Sequence, residues 1–421
     1  MTATPPSLEI RNAATLATPL GHAARRGREQ GEILRIRGAA LRAENGRLVF
    51  AGSEEDYRRR YMGNPAAVSI DASGKTLLPG LVDSHTHPVW AGDRAEEIGR
   101  RLAGESYAAI AADGGGINAT VRATRGASTE ELALLTRDRL IRMRSHGSTT
   151  VEAKSGYGLT AEDEIRSLRI LAQAGRDPEL PRVVPTLLAA HEFPPEHRSS
   201  RAEWVRRIAE EIVPEAAREG LARFCDVFCD EGVFTIDESQ TILEAARRAG
   251  LGLRLHADEL ARSGGSFLAA ELSAASADHL LCIGPEEIAA LARSGTVATL
   301  LPGTAWWMRS RRAPARELIE AGVPVAVATD FNPGTCLSES LPAVAAHACL
   351  DSRMTVEETL TAMTLNAAAS LGLAGETGSL EPGKSADVIW IDAPDDRHLV
   401  YHWGVNLVSG VICRGRLFQA T

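Results

Sequence analysis

The run LLPGLVDSHTH, residues 77–87, leads an apolar, strand-like segment into two histidines that are separated by one residue. Side chains of a strand alternate between its two faces, so residues two apart point the same way. His85 and His87 can therefore hold one metal ion together. Before this run the chain has the pattern of a small β domain. After it, short apolar runs alternate with amphipathic, Ala/Glu/Arg-rich segments, so the run marks the start of a new structural unit.

Eight strand–helix alternations are predicted from this point onward. The predicted strands end near His87, Gly156, His191, Asp230, His256, His279, Pro302 and Asp330. Eight alternations over about 250 residues match a (β/α)8 TIM barrel in count and size. A doubly wound open sheet is the structural alternative, but such a sheet does not bring eight strand ends around one centre. We therefore expect an α/β protein whose site lies at the carboxyl ends of the barrel strands.

The segments on both sides of the predicted barrel are rich in β signals. The N-terminal segment looks all-β, with a hairpin over residues 33–50 that turns at Asn45-Gly46. The C-terminal segment becomes β-rich again, and its strands are expected to return to those of the N terminus. We expect a small discontinuous β-sandwich domain with the barrel inserted into it. The predicted divisions of the chain are residues 1–76, 77–372 and 373–421.

Composition narrows the class of protein. With 44% hydrophobic and 24% charged residues, a chain of 421 residues can bury a large core. The net charge of −9 argues against a nucleic-acid partner. Six scattered cysteines without C-x-x-C spacing are typical of free thiols in a reducing compartment. Neither a secretory signal nor a membrane-length apolar window is evident, so we expect a cytoplasmic enzyme with no membrane partner.

Two further residues of the metal-ligand type close other predicted strands. His256 and Asp330 each end an apolar run. In a barrel these positions face the same mouth as His85 and His87. Three imidazoles and one carboxylate suit a borderline divalent ion such as zinc or iron, with a position left for water. A lone histidine is more often structural, but four such groups at strand ends indicate a hydrolytic metal site.

Several polar residues beside these strand ends are candidate catalytic groups. Glu259 could be a surface carboxylate at a helix start, or it could reach the substrate and shuttle a proton. We expect His279 to transfer protons or support a ligand, because four metal ligands are already present. Asp278 could orient an imidazole or cap a helix. Lys154 raises the question of a carbamylated lysine between two ions, but a single ion is favoured because the fourth strand ends without a lysine.

Three more residues near the predicted mouth are candidates for binding a polar substrate. An arginine in a loop is usually exposed to solvent, but Arg94 could also form a bidentate clamp on a substrate carboxylate. Tyr157 and His191 follow predicted strand ends and can donate or accept hydrogen bonds there.

These motifs together resemble the amidohydrolase superfamily. The residues that carry the resemblance are PGLVDSHTH at 79–87, His256 with Glu259, Asp278-His279 and Thr329-Asp330. Within the superfamily the chain is similar to the imidazolonepropionase family, through KSGYGL at 154–159 and ATDFNPGT at 328–335. The similarity runs from about residue 30 to the C terminus. Departures from the family pattern occur at Trp306-Trp307 and at Ala189.

The resemblance implies hydrolysis of the cyclic amide of 4-imidazolone-5-propanoate to N-formimidoyl-L-glutamate in histidine degradation. It implies one zinc or iron ion held by His85, His87, His256 and Asp330, and proton transfer shared among Glu259, His279 and Asp330. It implies substrate contacts from Arg94, Tyr157, His191, Glu259, Asn332, Gly334 and Thr335, and a homodimer. The alternatives are another amidohydrolase or a deaminase acting on a related nitrogen heterocycle, and a non-catalytic scaffold built on the same barrel.

Overall fold

The computed structural model describes residues 5–105, 109–110 and 113–419. Within these residues the strands form two eight-stranded sheets. In chain order the strands are β1 Leu8–Thr18, β2 Leu34–Glu44, β3 Arg47–Ser53, β4 Val68–Asp71, β5 Thr76–Pro79, β6 Leu81–Asp83, β7 Ser148–Lys154, β8 Arg182–Ala190, β9 Phe224–Cys229, β10 Gly252–Ala257, β11 Ser276–His279, β12 Val297–Leu300, β13 Val325–Val327, β14 Val388–Ile391, β15 Val408–Cys413 and β16 Arg416–Gln419.

Strands β6 to β13 form the barrel, each parallel to its neighbours in chain order. The first and last strands meet just beyond their carboxyl ends, where Thr86 bridges to Phe331. There the backbone N–H of Asp330 donates to the carbonyl of His85 at 3.0 Å, and that of His87 donates to Phe331 at 2.9 Å. This closure confirms the predicted (β/α)8 TIM barrel and places two candidate ligand segments side by side.

Helices follow the barrel strands as predicted. They are Glu97–Leu102, Ile117–Gly126, Thr129–Ser145, Ala161–Ala174, Arg201–Arg207, Val213–Arg218, Ile236–Arg248, Gly265–Glu271, Pro285–Ser294, Pro302–Trp307, Ala315–Glu320, Leu341–Leu350, Val356–Ala362 and Leu365–Ser370. One more helix, His398–Tyr401, lies between β14 and β15. Local capping chemistry sets several of their starts. Before Ile236, the Thr235 hydroxyl accepts from the backbone N–H of Glu238, whose carboxylate accepts in return from the N–H of Thr235.

The second sheet joins the two ends of the chain, in the order β16-β15-β14-β5-β1-β2-β3, with β4 paired to β1. The predicted small discontinuous β domain is thus confirmed, and its strands belong to one hydrogen-bonded sheet. The predicted hairpin is present as β2 and β3, and its turn residues Asn45 and Gly46 have φ of 52° and 76°. Because β5 pairs with β14, the chain passes from this sheet to the barrel at Gly80. The division at residues 76 and 372 stays a prediction.

The expectation that the N-terminal segment is all-β was wrong in two places, the short 3-10 helix Gly27–Gly31 and the α-helix Glu54–Tyr61. Ser53 caps the α-helix by accepting from the N–H of Asp56 at 3.1 Å. Its first turn carries three acidic residues and its last turn three arginines, which suits the helix dipole. Tyr57 is buried and anchors the helix on the sheet through Phe50. These charges were present in the sequence, but a segment of eight residues is short for a helix prediction.

The six cysteines are all free thiols, as predicted. No helix among the described residues has both the length and the apolar character needed to cross a bilayer.

Candidate metal centre

Four predicted ligand side chains lie together, buried at the closed seam of the barrel. His87 Nε2 lies 3.3 Å from His85 Nε2 and 3.3 Å from Asp330 Oδ1. His85 Nε2 lies 3.5 Å from the same carboxylate oxygen. The ring of His256 is 4.5 Å from that of His85, centroid to centroid. The extended segment after β6 carries His85 and His87, His256 is near the end of β10, and Asp330 follows β13. These segments therefore bring three imidazoles and one carboxylate around a common centre.

The outer nitrogens of two of these imidazoles are held by buried carboxylates. His85 Nδ1 lies 2.6 Å from Asp278 Oδ2, and His256 Nδ1 lies 3.1 Å from Asp226 Oδ1. A carboxylate accepts the Nδ1–H, which leaves the lone pair of Nε2 for the centre of the cluster. Asp278 therefore orients an imidazole, which was one of its two sequence interpretations.

The donor set fits a divalent ion. His256 Nε2 is buried and has no hydrogen-bond partner among the described residues. Burial is the main cause that holds the pKa values of His85 and His87 well below the usual range, so both rings are neutral donors. Burial also lowers the pKa of His256, but Asp226 outweighs that effect and raises it overall. A buried nitrogen lone pair beside two neutral imidazoles and a carboxylate is satisfied by a cation such as zinc or iron.

Asp330 is held in an uncommon backbone conformation, with φ of 53°. Thr304, in the helix Pro302–Trp307, donates its hydroxyl to Asp330 Oδ2 at 2.6 Å. The other oxygen, Oδ1, is thereby left facing His85 and His87. Left-handed backbone at a non-glycine residue is typical of functional sites, where the surrounding structure enforces it.

His279 and Glu259 form a second pair beside the ligands. His279 Nε2 lies 3.5 Å from Glu259 Oε2, and the backbone of His279 is also left-handed, with φ of 74°. Burial raises the pKa of Glu259 to about 8, with the Asp330 charge as a further cause. Burial lowers the pKa of His279 to about 3. Glu259 is thus no surface carboxylate. His279 can be grouped with His85 and His256, with one nitrogen from each within 4.8 Å of the others.

Arg94 reaches the loop that follows β13. Its Nε and Nη2 each donate to Glu97 Oε2 at 3.0 Å, and its side chain is buried. The guanidinium lies against Gly334, where a Cβ would sit only 3.0 Å from Arg94 Cζ. Asn332 shapes the same loop, since its Oδ1 accepts from the backbone N–H groups of Gly334 and Thr335, both at 2.8 Å. The structure therefore brings together four of the predicted substrate contacts.

Tyr157 and His191 lie beside His87, with ring centroids 6.1 Å and 5.2 Å from that of His87. His191 stacks on His87 with centroids 5.2 Å apart and the planes 22° from parallel. His191 Nδ1 donates to the carbonyl of Gly156 at 2.9 Å, which fixes the ring, and Tyr157 packs edge-on against it at 5.3 Å. Burial lowers the pKa of His191 to about 3, so the ring is neutral.

Sequence reasoning missed several buried polar residues under the site, namely Glu152, Asp226, Arg254 and Thr304, and it assigned no structural role to Lys154. The sequence did contain a signal for the four charged residues, Glu152, Lys154, Asp226 and Arg254. Charged residues at alternate positions of apolar barrel strands point into the barrel interior, where they need partners. No sequence pattern identified Thr304, because its contact with Asp330 joins the helix after β12 to the segment after β13 and depends on how these two segments fold.

Trp306 and Trp307 line a different cavity, of about 730 Å³, together with Leu281, Leu301 and Arg101. Both indoles are partly exposed, at 54% and 43%. The part of the chain that the structure describes places none of the four candidate ligands in the wall of this cavity. The departure from the family pattern at these two positions therefore lies beside the metal centre and not in it.

Comparisons with known proteins agree with this architecture. Residues 76–418 match the model of the amidohydrolase family. The chain is 48% identical to imidazolonepropionase of Symbiobacterium thermophilum over 98% of this chain and 97% of that protein. It is 44% identical to imidazolonepropionase of Porphyromonas gingivalis over the same shares of the two chains.

Solved structures with lower identity share the fold. The adenosine deaminase from Xanthomonas campestris with bound zinc superposes with a TM-score of 0.73 at 21% identity, covering 98% of this chain and 93% of that one. A triazine hydrolase variant superposes with a TM-score of 0.71 at 17% identity, over 98% and 94% of the two chains. At these identities the similarity concerns the fold alone.

Proposed function

Since this chain belongs to the amidohydrolase family, and within it to the imidazolonepropionases, we propose that it hydrolyses the cyclic amide of 4-imidazolone-5-propanoate to N-formimidoyl-L-glutamate, a step of histidine degradation. One observation carries the proposal: in a chain so similar to enzymes of that name, three imidazoles and a carboxylate converge at the barrel mouth. A non-catalytic scaffold would gain nothing from this arrangement, because burying polar side chains costs free energy.

We propose that His85, His87, His256 and Asp330 hold one zinc or iron ion. Bound there, such an ion supplies Lewis acidity, which polarises a carbonyl and makes water available as a nucleophile near neutral pH. The four side chains converge through contacts of 3.3–3.5 Å among three of them, and His256 adds an unpartnered nitrogen.

Proton movement falls to Asp330, Glu259 and His279. Ring opening requires one proton to leave the attacking water and one to reach the departing ring nitrogen. Asp330 Oδ1 faces the ligand histidines, so it is placed to accept the first proton. Glu259 and His279, 3.5 Å apart, are placed to deliver the second. Arg94 binds the propanoate carboxylate, with Tyr157 and His191 contacting the ring.

The direct test of the proposal is product identification. Purified protein is incubated with freshly generated 4-imidazolone-5-propanoate, and the product is identified by mass spectrometry. N-formimidoyl-L-glutamate, heavier than the substrate by one water, supports the proposal. Release of ammonia from a related heterocycle, with no turnover of this substrate, would instead support a deaminase.

Replacing Arg94 with Met should raise KM about 10- to 100-fold and change kcat little, because one charge-assisted hydrogen-bonding group to the substrate tail is lost. Steady-state kinetics measures both constants. Arg101→Met is the matched control, since Arg101 contacts the same Glu97 carboxylate, at 3.8 Å, from the next helical turn. An unchanged KM for the Arg94 variant would place the carboxylate clamp elsewhere.

Replacing His279 with Asn should lower kcat by about 10²- to 10⁴-fold and leave metal content at one ion per chain, because we assign proton transfer to His279. His256→Asn is the comparison variant and should lose the ion. Metal analysis of both purified variants distinguishes the roles. Loss of metal from the His279 variant would make His279 a ligand, which its spacing from His85 and His256 allows.

We further propose a homodimer located in the cytoplasm, in line with the family resemblance. Light scattering on the purified protein measures the mass of the assembly. A monomeric mass at every protein concentration tested would contradict the proposed homodimer.

A further inference from the structure

Beneath the candidate metal centre the barrel interior holds a set of fully buried charges. They are Glu152, Lys154, Asp226, Arg254 and Asp278, each with 0% of its surface exposed. Three carboxylates against two cations leave the set with one excess negative charge. Burying ions is costly unless each is closely paired, so an arrangement of this size inside a barrel needs a function to explain it.

One half of this set of buried charges contacts His256. Asp226 Oδ1 lies 3.1 Å from His256 Nδ1, and its Oδ2 lies 2.8 Å from Lys154 Nζ. Lys154 Nζ donates in turn to Glu152 Oε1 at 2.8 Å. Glu152 and Lys154 are two apart on β7, so both point into the barrel. The lysine is therefore clamped between two carboxylates and directs one oxygen of Asp226 at the imidazole.

The other half leads to His85. Arg254 Nη2 lies 3.2 Å from Asp278 Oδ2 and donates to the carbonyl of Ser84 at 2.8 Å. The same Asp278 oxygen lies 2.6 Å from His85 Nδ1. Arg254 Nε is 3.9 Å from Glu152 Oε1, which connects the two halves.

The strand register makes this connection specific. Arg254 is opposite Asp226 on β9, and His256 is opposite Asp278 on β11. Arg254 and His256 are two apart on β10 and so share the interior face. His256 thus receives Asp226 from the neighbouring strand β9, and His85 receives Asp278 from across the barrel; Lys154 contacts the first of these carboxylates and Arg254 the second.

We propose that Lys154 and Arg254 are positioning residues of the metal centre, which fix Asp226 and Asp278 and through them the Nε2 lone pairs of His256 and His85. This inference rests on the proposed metal centre but not on the proposed substrate. Without its cation, a buried carboxylate loses the partner that fixes its orientation, and the imidazole is free to turn or to carry its proton on Nε2. Either change weakens ligation.

The role of Lys154 differs from that of a bridging ligand. Burial opposes its charge, but Asp226 and Glu152 outweigh burial and raise the pKa of Lys154 above its usual value. A lysine protonated between two carboxylates does not become carbamylated, because carbamylation requires the free amine. A protonated Lys154 between these carboxylates agrees with the expectation that the centre holds a single metal ion.

The test is the metal affinity of Lys154→Met and Arg254→Met, measured without substrate. Zinc is titrated into the metal-free protein against a chromophoric chelator, and each variant should bind about 10- to 100-fold more weakly than the parent chain. Cobalt-loaded samples should show a changed visible spectrum, since that spectrum reports ligand geometry. Activity is not needed for either measurement, so a wrong substrate assignment leaves this test intact.

Lys384→Met is the matched control. Lys384 is likewise fully buried, and its Nζ donates to Ala374 O at 2.7 Å and Ser379 Oγ at 2.6 Å, away from the metal centre. This variant should lower the unfolding temperature but leave zinc affinity and the cobalt spectrum unchanged. If Lys154→Met keeps the parent affinity and spectrum, the proposal is overturned.

A second variant covers the case in which Lys154→Met fails to fold. The double change Lys154→Met with Asp226→Asn removes a cation and an anion together, which buried sites tolerate better than one unpaired charge. It should fold and still bind zinc about 10- to 100-fold more weakly, because a neutral amide replaces the carboxylate on His256. Parent-like affinity in the folded double variant would refute the positioning role of this half of the set.

Discussion

Asp330→Asn should lower kcat by on the order of 10⁴-fold. The carboxylate has two functions that an amide cannot replace. Its Oδ1 lies 3.3 Å from His87 Nε2 and 3.5 Å from His85 Nε2, where it contributes a negative charge to the ligand set. In the proposed mechanism the carboxylate also accepts a proton from water, and an amide is far less basic.

Thr304→Val provides a graded comparison for this result. It removes the hydroxyl that donates to Asp330 Oδ2 at 2.6 Å but keeps the carboxylate, so we expect a loss of roughly 10-fold. Circular dichroism melting of both variants checks that they are folded. Near-normal turnover in the Asp330 variant with metal retained would rule out the site as described.

Removal of the metal should abolish turnover, and zinc or iron should restore it. Imidazole and carboxylate groups are not Lewis acids, so without an ion the four proposed ligands cannot activate water in the way that a bound metal does. The protein is dialysed against a chelator, assayed, and assayed again after one equivalent of each metal is added. The faster of the two reconstituted forms identifies the better metal.

Calcium and magnesium serve as controls for metal removal. These ions prefer all-oxygen ligand sets, so a site with three imidazoles should not recover with either of them. Full activity in the chelated protein, with no metal remaining by mass spectrometry, would remove the ion from the reaction and with it the proposed mechanism.

Much of the fold, and the approach of the four proposed ligand side chains to one another, could be predicted from the sequence because both depend on short-range patterns. Period-two alternation placed His85 and His87 on one face of a strand. The count of strand–helix alternations indicated the barrel, and a barrel necessarily gathers its carboxyl strand ends at one mouth. Asn45-Gly46 between two β runs predicted the hairpin, because both residues accept positive φ readily.

What the sequence could not determine is which buried groups pair across the barrel. Alternation shows that Lys154 and Arg254 point inward and that Glu152 shares the face of Lys154, but Asp226 and Asp278, the other partners of these cations, lie on different strands at distances along the chain that no local pattern records. The register between strands and the closure of β6 on β13 decide those pairs. That closure also brings Arg94 to Gly334, whereas the pairing of β12 with β13 brings Thr304 to Asp330.

The amino-acid sequence by itself thus determined the kind of ligands, the strands that present them and the mouth they share, because strand periodicity acts locally. Only the tertiary structure decided that Asp226 and Asp278 hold the ligand imidazoles and that buried cations hold those carboxylates. The physical reason is that hydrogen bonds in a closed barrel act over about 3 Å between strands far apart in the chain, so they exist only after the barrel has closed.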